Sequence, residues 1–412
     1  MQPPVKGKGP KEVYRKPQTP VTKTTLTIER LAWGGKGVAR AEDGKLILLS
    51  APLALFPGEQ VEADVRWKPR HGEGEVTRWV RRDPRRAKAG CPVAGVCGGC
   101  ELWEGGAQVP ALKKAMVADL LGRQLPDAPV WRWLEAPEDA RRHRIQLHWT
   151  GHDLGFHRRN SHSLVPVKAC PVAAPALSAA LPRLQEALEA HILPSRPQRW
   201  ELATGTPAGD VYAQDEGGRT WNLEPDGWHP YQGGITHRFG EVRLSHRPGG
   251  FFQVCPPWAW RAFGEILGGW ELPSGTLYDL YGGVGFFSAL LAPKVKGSVL
   301  VEFDAPAVAW AVKNLPGTEC VAADAAEWLA EGLGEPGDLI LLDPPRTGLA
   351  PELCEKLKTV GASDLVLVGC DGAAFCRDVN RLAPAWALAG LAVADLFPMT
   401  SHVECVAWLK KA

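Results

Sequence analysis

The chain has 412 residues, 45% of them hydrophobic and 23% charged, with a formal net charge of +1. That is ordinary globular composition, long enough for two or three domains. No apolar run approaches the ~18 residues needed to cross a bilayer, so no membrane role is expected. Net neutrality hides an asymmetry: residues 1–90 hold 19 Lys/Arg against 10 Asp/Glu, and the remainder holds 28 against 36. A basic front on an acidic back points to a polyanion gripped at one end.

The opening stretch "MQPPVKGKGPKEVYRKPQTP" is rich in Pro and Lys and has no apolar core behind its charges. It reads as a disordered tail rather than a signal peptide, and the chain is expected in the cytoplasm. Residues 19–82 carry short strand patterns ("TKTTLTIERL", "GGKGVAR", "AEDGKLILLS", "EQVEADVRW", "GEGEVTRWVRR") separated by Gly and Asp-Gly turns. Such spacing predicts a small β-barrel of the oligonucleotide-binding type.

Residues 83–240 are less regular and predict a small α+β unit. They begin with "CPVAGVCGGC", Cys91 to Cys100. Ten cysteines in a chain of this kind suit reduced thiols, metal ligands and a nucleophile better than disulfides. Cys91, Cys97 and Cys100, with Cys170 of "VKACPVA", make a four-thiolate set, which suits zinc or an iron–sulfur cluster. Only one short C-x2-C knuckle is present, where structural zinc usually uses two. From Arg141 to Lys168 there are six Lys/Arg and one Asp, with Trp149 and Phe156 interleaved. This predicts an antiparallel hairpin with a cationic face for phosphates and unstacked bases. "PALSAALPRLQEALEAHI" is an amphipathic helix.

From about 241 the texture changes. "TLYDLY", "SVLVEF", "ECVAAD", "DLILLDPPRTG" and "LVLVGC" are apolar strands alternating with helical stretches. They predict an α/β domain over 241–412 with a parallel sheet. The first strand runs into "GGVG". Gly283 and Gly285 fit a dinucleotide fingerprint, but Ser288 stands where its third glycine belongs. Asp279, Gly283, Glu302 and Asp324 sit at successive strand ends, as the S-adenosylmethionine contacts of class I methyltransferases do. Glu302 is nineteen residues past Gly283, a spacing that suits ribose hydroxyls. "DPPR", Asp343 to Arg346, is a rigid turn able to hold a planar base edge. Cys370 ends the next apolar strand, before a helix whose N-terminus would favour thiolate. A thiolate there can add to carbon 6 of uracil and make carbon 5 nucleophilic, and a base must then remove the carbon-5 proton. Glu404 in "FPMTSHVECVAWL" is the base candidate and His402 its competitor.

The stretches "FFQVCPP", "DLYGGVGFFS", "LLDPPRTG", "GCDGAAFCRDV" and "FPMTSHVECV", in that order, resemble the RNA uracil-5-methyltransferases. The front module resembles a TRAM domain. The likeness runs from about residue 20 to 410. It implies Cys370 as nucleophile and Glu404 as base, with Gln253, Tyr281, Gly283, Gly285, Glu302, Asp324 and Asp343 at the cofactor or target base. It also implies a [4Fe–4S] cluster on Cys91, Cys97, Cys100 and Cys170, as in the ribosomal branch. The expected substrate is a uridine of 23S ribosomal RNA, with tRNA as the alternative, and the expected state is a monomer. A non-catalytic RNA-binding or chaperone protein is the rival of another class. The family's pattern is departed from in three stretches: Cys255 and Phe286 each stand where it usually has Asn, and Cys370-Asp371-Gly372 stands where it usually has Cys-Asn-Pro.

Overall fold

The computed structural model describes residues 21–412; the expected Pro/Lys-rich tail and the first two positions of the expected barrel lie outside the described residues. In the first sheet, alternation does the sorting. Val61, Ala63 and Val65 are buried, with Glu62 and Asp64 on the other face, as a strand half-covered by its own sheet requires. The strand order is Val21–Thr27, Gln60–Trp67, Gly72–Arg81, Leu46–Ser50, Lys36–Arg40, Arg30–Ala32. The first strand also lies against Lys36–Arg40, so the sheet curls into a partly closed barrel. The arginine run that follows is partly structural. Arg86 is 6% exposed and binds Glu59 and Glu104 at 2.6 Å each, so it closes the barrel rather than presenting a free cation.

The second sheet is antiparallel and has seven strands, Leu164–Pro166, Leu154–His157, Arg144–Trp149, Gln198–Thr204, Val211–Asp215, Thr220–Glu224 and Gly227–Pro230 in spatial order. The amphipathic helix Pro175–Glu189 covers one face through Leu177, Leu181, Leu184 and Leu188. The Arg/His stretch forms the expected hairpin strands, but Trp149 is not a platform for bases. It is 2% exposed and its indole N–H donates to the Ser195 carbonyl at 2.7 Å. Strand parity turned it inward, where a large aromatic side chain adds most to the core.

The third sheet runs Glu319–Ala322, Gly297–Glu302, Thr276–Leu280, Leu339–Leu342, Asp364–Gly369, Glu404–Lys411, Trp386–Ala394, Arg132–Leu134. The first five strands are parallel. Glu404–Lys411 runs antiparallel to its neighbours on both sides. Leu339, Ile340, Leu341 and Leu342 are all buried, because helices cover both faces; each contributes roughly 1.5–3 kcal/mol. Helix Val109–Gln124 and strand Arg132–Leu134, within the 83–240 span, pack on this third sheet. Sequence order reverses between Thr276–Leu280 and Leu339–Leu342. Open α/β sheets bind ligands at that crevice, outside the carboxyl ends of the strands.

Candidate active site

Residues at that carboxyl edge are set there by register. Gly369 pairs with Cys405 across antiparallel strands, so Cys370, one step past one strand, faces Glu404, the first residue of the other. Arg346, from the Pro344-Pro345 turn, lines a small hollow with Cys370. Gln253 donates to Asp343 Oδ2 at 3.3 Å. The structure thus brings Cys370, Glu404, Asp343 and Gln253 to one place and adds Arg346, quoted in the sequence motif but given no role of its own.

The electrostatics are those of a dry crevice. Burial pushes the Cys370 thiol up to about 11, with Glu404 adding to the rise and the Arg346 guanidinium opposing it. The thiolate expected from the helix N-terminus is therefore not the resting form. Asp371 caps that helix, accepting from the Ala374 N–H at 2.9 Å, so the positive helix end is met by a carboxylate. Burial lifts Asp343 to about 7, with Asp279 adding to it and the Gln253 bond opposing. Glu404 is raised well above its ordinary range by burial and by Asp343, and its Oε2 is buried without a hydrogen-bond partner. An orphan carboxylate oxygen beside a thiol is costly to keep, and such sites are frequently catalytic. His402 lies just before the strand, edge-on to Phe397 at 6.0 Å, with its ring pushed toward neutrality by burial.

The glycine turn that follows Thr276–Leu280 sits beside this group. Tyr281 adopts a φ of 62° and Gly283 one of 56°. A tyrosine in the left-handed region is held there by its surroundings, as at many ligand-binding turns. Gly283 donates its N–H to Glu302 Oε2 at 3.0 Å, and Oε1 accepts from Asp304 N at 2.8 Å. Asp324 caps the short helix Ala325–Trp328 through Oδ1, accepting from the Ala326 and Glu327 N–H groups. Gly285 ends the turn as N-cap of helix Phe286–Leu291. Asp279 is different from the others: wholly buried, it accepts from the Ser288 N–H and hydroxyl at 3.0 and 2.6 Å, so it ties the turn to its helix. Phe303, which sequence reading missed, is 78% exposed next to Glu302. An apolar side chain directly after a strand-end acid was the available signal.

The three departures have structural accounts. Cys255 is buried at the start of helix Pro256–Gly268. Phe286 fills an aromatic nest with Phe239, Phe252, Trp260, Phe263 and Phe287. A side chain at Gly372 would meet Leu120 at 2.5 Å and Trp33 of the barrel at 2.8 Å, so those two residues occupy the space beside the Cys370 turn.

Cys91, Cys97, Cys100 and Cys170 line one cavity of about 450 Å³, together with Arg142, Phe252 and Arg346. The cysteine loop is fastened to the hairpin by Gly98 N–H to His157 O at 3.0 Å. Burial raises the thiols of Cys97, Cys100 and Cys170, Cys100 to about 12, and neighbouring thiols add to each shift. Such a nest is stable as thiolates only around a cation. Among the described residues, no three of the four sulfurs lie within 4.8 Å of one another. Tetrahedral zinc would draw them to about 3.8 Å.

Residues 337–412 match the family model described as tRNA (Uracil-5-)-methyltransferase. A 23S rRNA (uracil(1939)-C(5))-methyltransferase RlmD of Pseudomonas fluorescens is 33% identical over 445 residues, covering 95% of this chain and 95% of that protein. The RlmD of Azoarcus sp. is 30% identical over 442 residues, covering 94% of this chain and 99% of that protein. The crystal structure of Pyrococcus abyssi tRNA (uracil-54, C5)-methyltransferase with S-adenosyl-L-homocysteine matches in fold, with a TM-score of 0.71 at 22% identity, over 93% of this chain and 99% of that one. Among the described residues no helix is long and apolar enough to cross a membrane. The chain is thus an S-adenosylmethionine-dependent RNA (uracil-5-)-methyltransferase and belongs to the RlmD family of 23S rRNA uracil-C5-methyltransferases.

Proposed function

We propose that this enzyme methylates carbon 5 of one uridine in 23S rRNA, the counterpart of uridine 1939 named for its relatives, through a covalent Cys370 adduct and a Glu404 base. The observation that carries the mechanism is the meeting of Cys370 with the buried, partnerless Oε2 of Glu404. Carbon 5 of uracil is a weak nucleophile. Cys370 Sγ, once deprotonated, bonds to carbon 6, and the π pair moves toward carbon 5 and oxygen 4. Carbon 5 would then attack the methyl carbon of S-adenosylmethionine, and the pair of the broken S–CH3 bond would stay on sulfur as S-adenosylhomocysteine leaves. Glu404 takes the carbon-5 proton, the double bond re-forms, and the Sγ–C6 bond breaks. Arg346 stabilises negative charge on sulfur and on the enolate. Gln253 and Asp343 hold the base edge and the methyl donor between them. Tyr281, Gly283, Gly285, Glu302 and Asp324 hold the donor's nucleoside, with Phe303 as an apolar face for adenine. The substrate assignment is tested by methyl transfer to matched 23S and tRNA transcripts; exclusive labelling of tRNA would overturn it.

The curled N-terminal sheet acts as a TRAM-type RNA grip, joined by the hairpin with its exposed Arg158 and by the neighbouring strand with its exposed Arg199. Cys91, Cys97, Cys100 and Cys170 would hold a [4Fe–4S] cluster. Four thiols lining one cavity of about 450 Å³ are the donor set such a group takes. When bound, the cluster cross-links an irregular loop to the hairpin, and methyl transfer needs no electron from it. Cys97→Ser is expected to lower iron from about four atoms per chain to about one or fewer, and to weaken RNA binding. Stoichiometric zinc without iron in anaerobically prepared protein would contradict this. The enzyme is taken to act as a monomer in the cytoplasm.

A further inference from the structure

The loop that delivers Glu404 closes its own turn, the Thr400 N–H and hydroxyl donating to the Phe397 carbonyl at 3.2 and 3.0 Å, and is tied to the rest of the chain at a few points. Its start is held by the buried Asp395, which pairs with Lys113 and whose carbonyl accepts from the Trp258 indole at 2.7 Å. Lys113 also donates to the Phe397 carbonyl at 2.9 Å. Beyond that point the anchors change. The Leu102 N–H donates to the Met399 carbonyl at 3.0 Å, and the Ser401 N–H donates to Glu101 Oε1 at 2.7 Å. Glu101 and Leu102 directly follow Cys100 of the four-thiol site. Met399 holds a φ of 60°, a conformation a non-glycine residue keeps only when its surroundings over-determine it. Gly35 of the barrel closes the other side, its Cβ position 3.2 Å from Ser401 Cβ.

We propose that Glu101 is a positioning residue for the general base, a strut that joins the cysteine loop to the segment carrying Glu404. Its carboxylate fixes Ser401, three residues before the base, and with Leu102 it sets the course of the chain into the first residue of the catalytic strand. The cysteine site therefore reaches the chemistry through one side chain and one backbone bond, with no electron moving. This rests on the reading of Cys370 as nucleophile and Glu404 as base.

The test uses full-length protein and a 23S fragment with S-adenosylmethionine. Glu101→Ala removes the acceptor, and turnover is expected to fall about tenfold or more, the scale of a misplaced catalytic group. Elimination needs the base and addition does not, so the fraction of enzyme trapped on RNA in the steady state is expected to rise, with iron content unchanged. Glu101→Gln keeps an acceptor for Ser401 and is expected to restore turnover to within about threefold. A merely structural role would lower adduct and turnover together. Wild-type partitioning in Glu101→Ala, with adduct accumulating in Glu404→Gln, overturns the strut and leaves the mechanism standing. No adduct in Glu404→Gln overturns the assignment of Glu404 as base instead. Amide exchange over residues 398–404 then reads the strut without chemistry: Glu101→Ala speeds exchange at Ser401 if the strut holds, and unchanged exchange overturns it.

Discussion

Cys370→Ala is expected to lose methyl transfer by roughly 10⁴-fold or more, the scale on which removing a covalent nucleophile is felt. S-Adenosylmethionine binding should survive, because the glycine turn, Glu302 and Asp324 lie on other strand ends. The variant is also expected to fold, since Cys370 is half-buried and its helix is capped independently by Asp371. Equilibrium binding of the donor and single-turnover transfer together separate these effects. In the wild type, kcat/KM should climb with pH from about 7 to about 9, because free-enzyme groups control it and both must lose a proton. The thiol is lifted to about 11 and Glu404 is raised as well, so the reactive fraction grows as pH rises. A flat profile across that range, or substantial activity in Cys370→Ala, would remove the covalent step.

Glu404→Gln is expected to slow turnover by about 10²- to 10⁴-fold, the usual worth of a positioned base, and to leave methylated RNA attached to the protein. Gln preserves the volume at a position only 6% exposed, so packing is retained and the lost property is proton acceptance. The adduct is read as a slow-migrating, denaturant-resistant species whose mass includes the methyl group. An unmethylated adduct, or none, would assign the base elsewhere, with His402 first in line because it lies two residues away in the same segment.

The third sheet and its carboxyl edge are legible in the sequence. Apolar strands alternating with helices gave the α/β sheet, because strands covered on both faces must be continuously hydrophobic. Strand ends located Gly283, Glu302, Asp324, Asp343 and Cys370, since chain direction alone carries parallel strand ends to one edge. What stayed hidden depended on contacts between distant segments. The meeting of Cys370 with Glu404 follows from the register of Gly369 on Cys405, which periodicity cannot supply. The resting thiol of Cys370 depends on burial by residues from several elements, and the helix-end argument weighed only its own. Trp149 was misread because a hairpin shows its parity but not which face is covered. Helix Val109–Gln124 and strand Arg132–Leu134 join the third sheet although they lie far from its other strands in sequence. Glu101 carries no motif at all; only its bond to Ser401, 300 residues away, singles it out.

The central claim is that carbon 5 of a uridine in 23S rRNA exchanges its hydrogen for a methyl group on this enzyme. A 23S transcript tritiated at uridine carbon 5, with S-adenosylmethionine present, measures it directly. The account predicts tritium released to water one for one with methyl incorporated, and neither product from a transcript in which the target uridine is replaced by cytidine. Methyl incorporation without tritium release would place the methyl group on another atom and contradict the account.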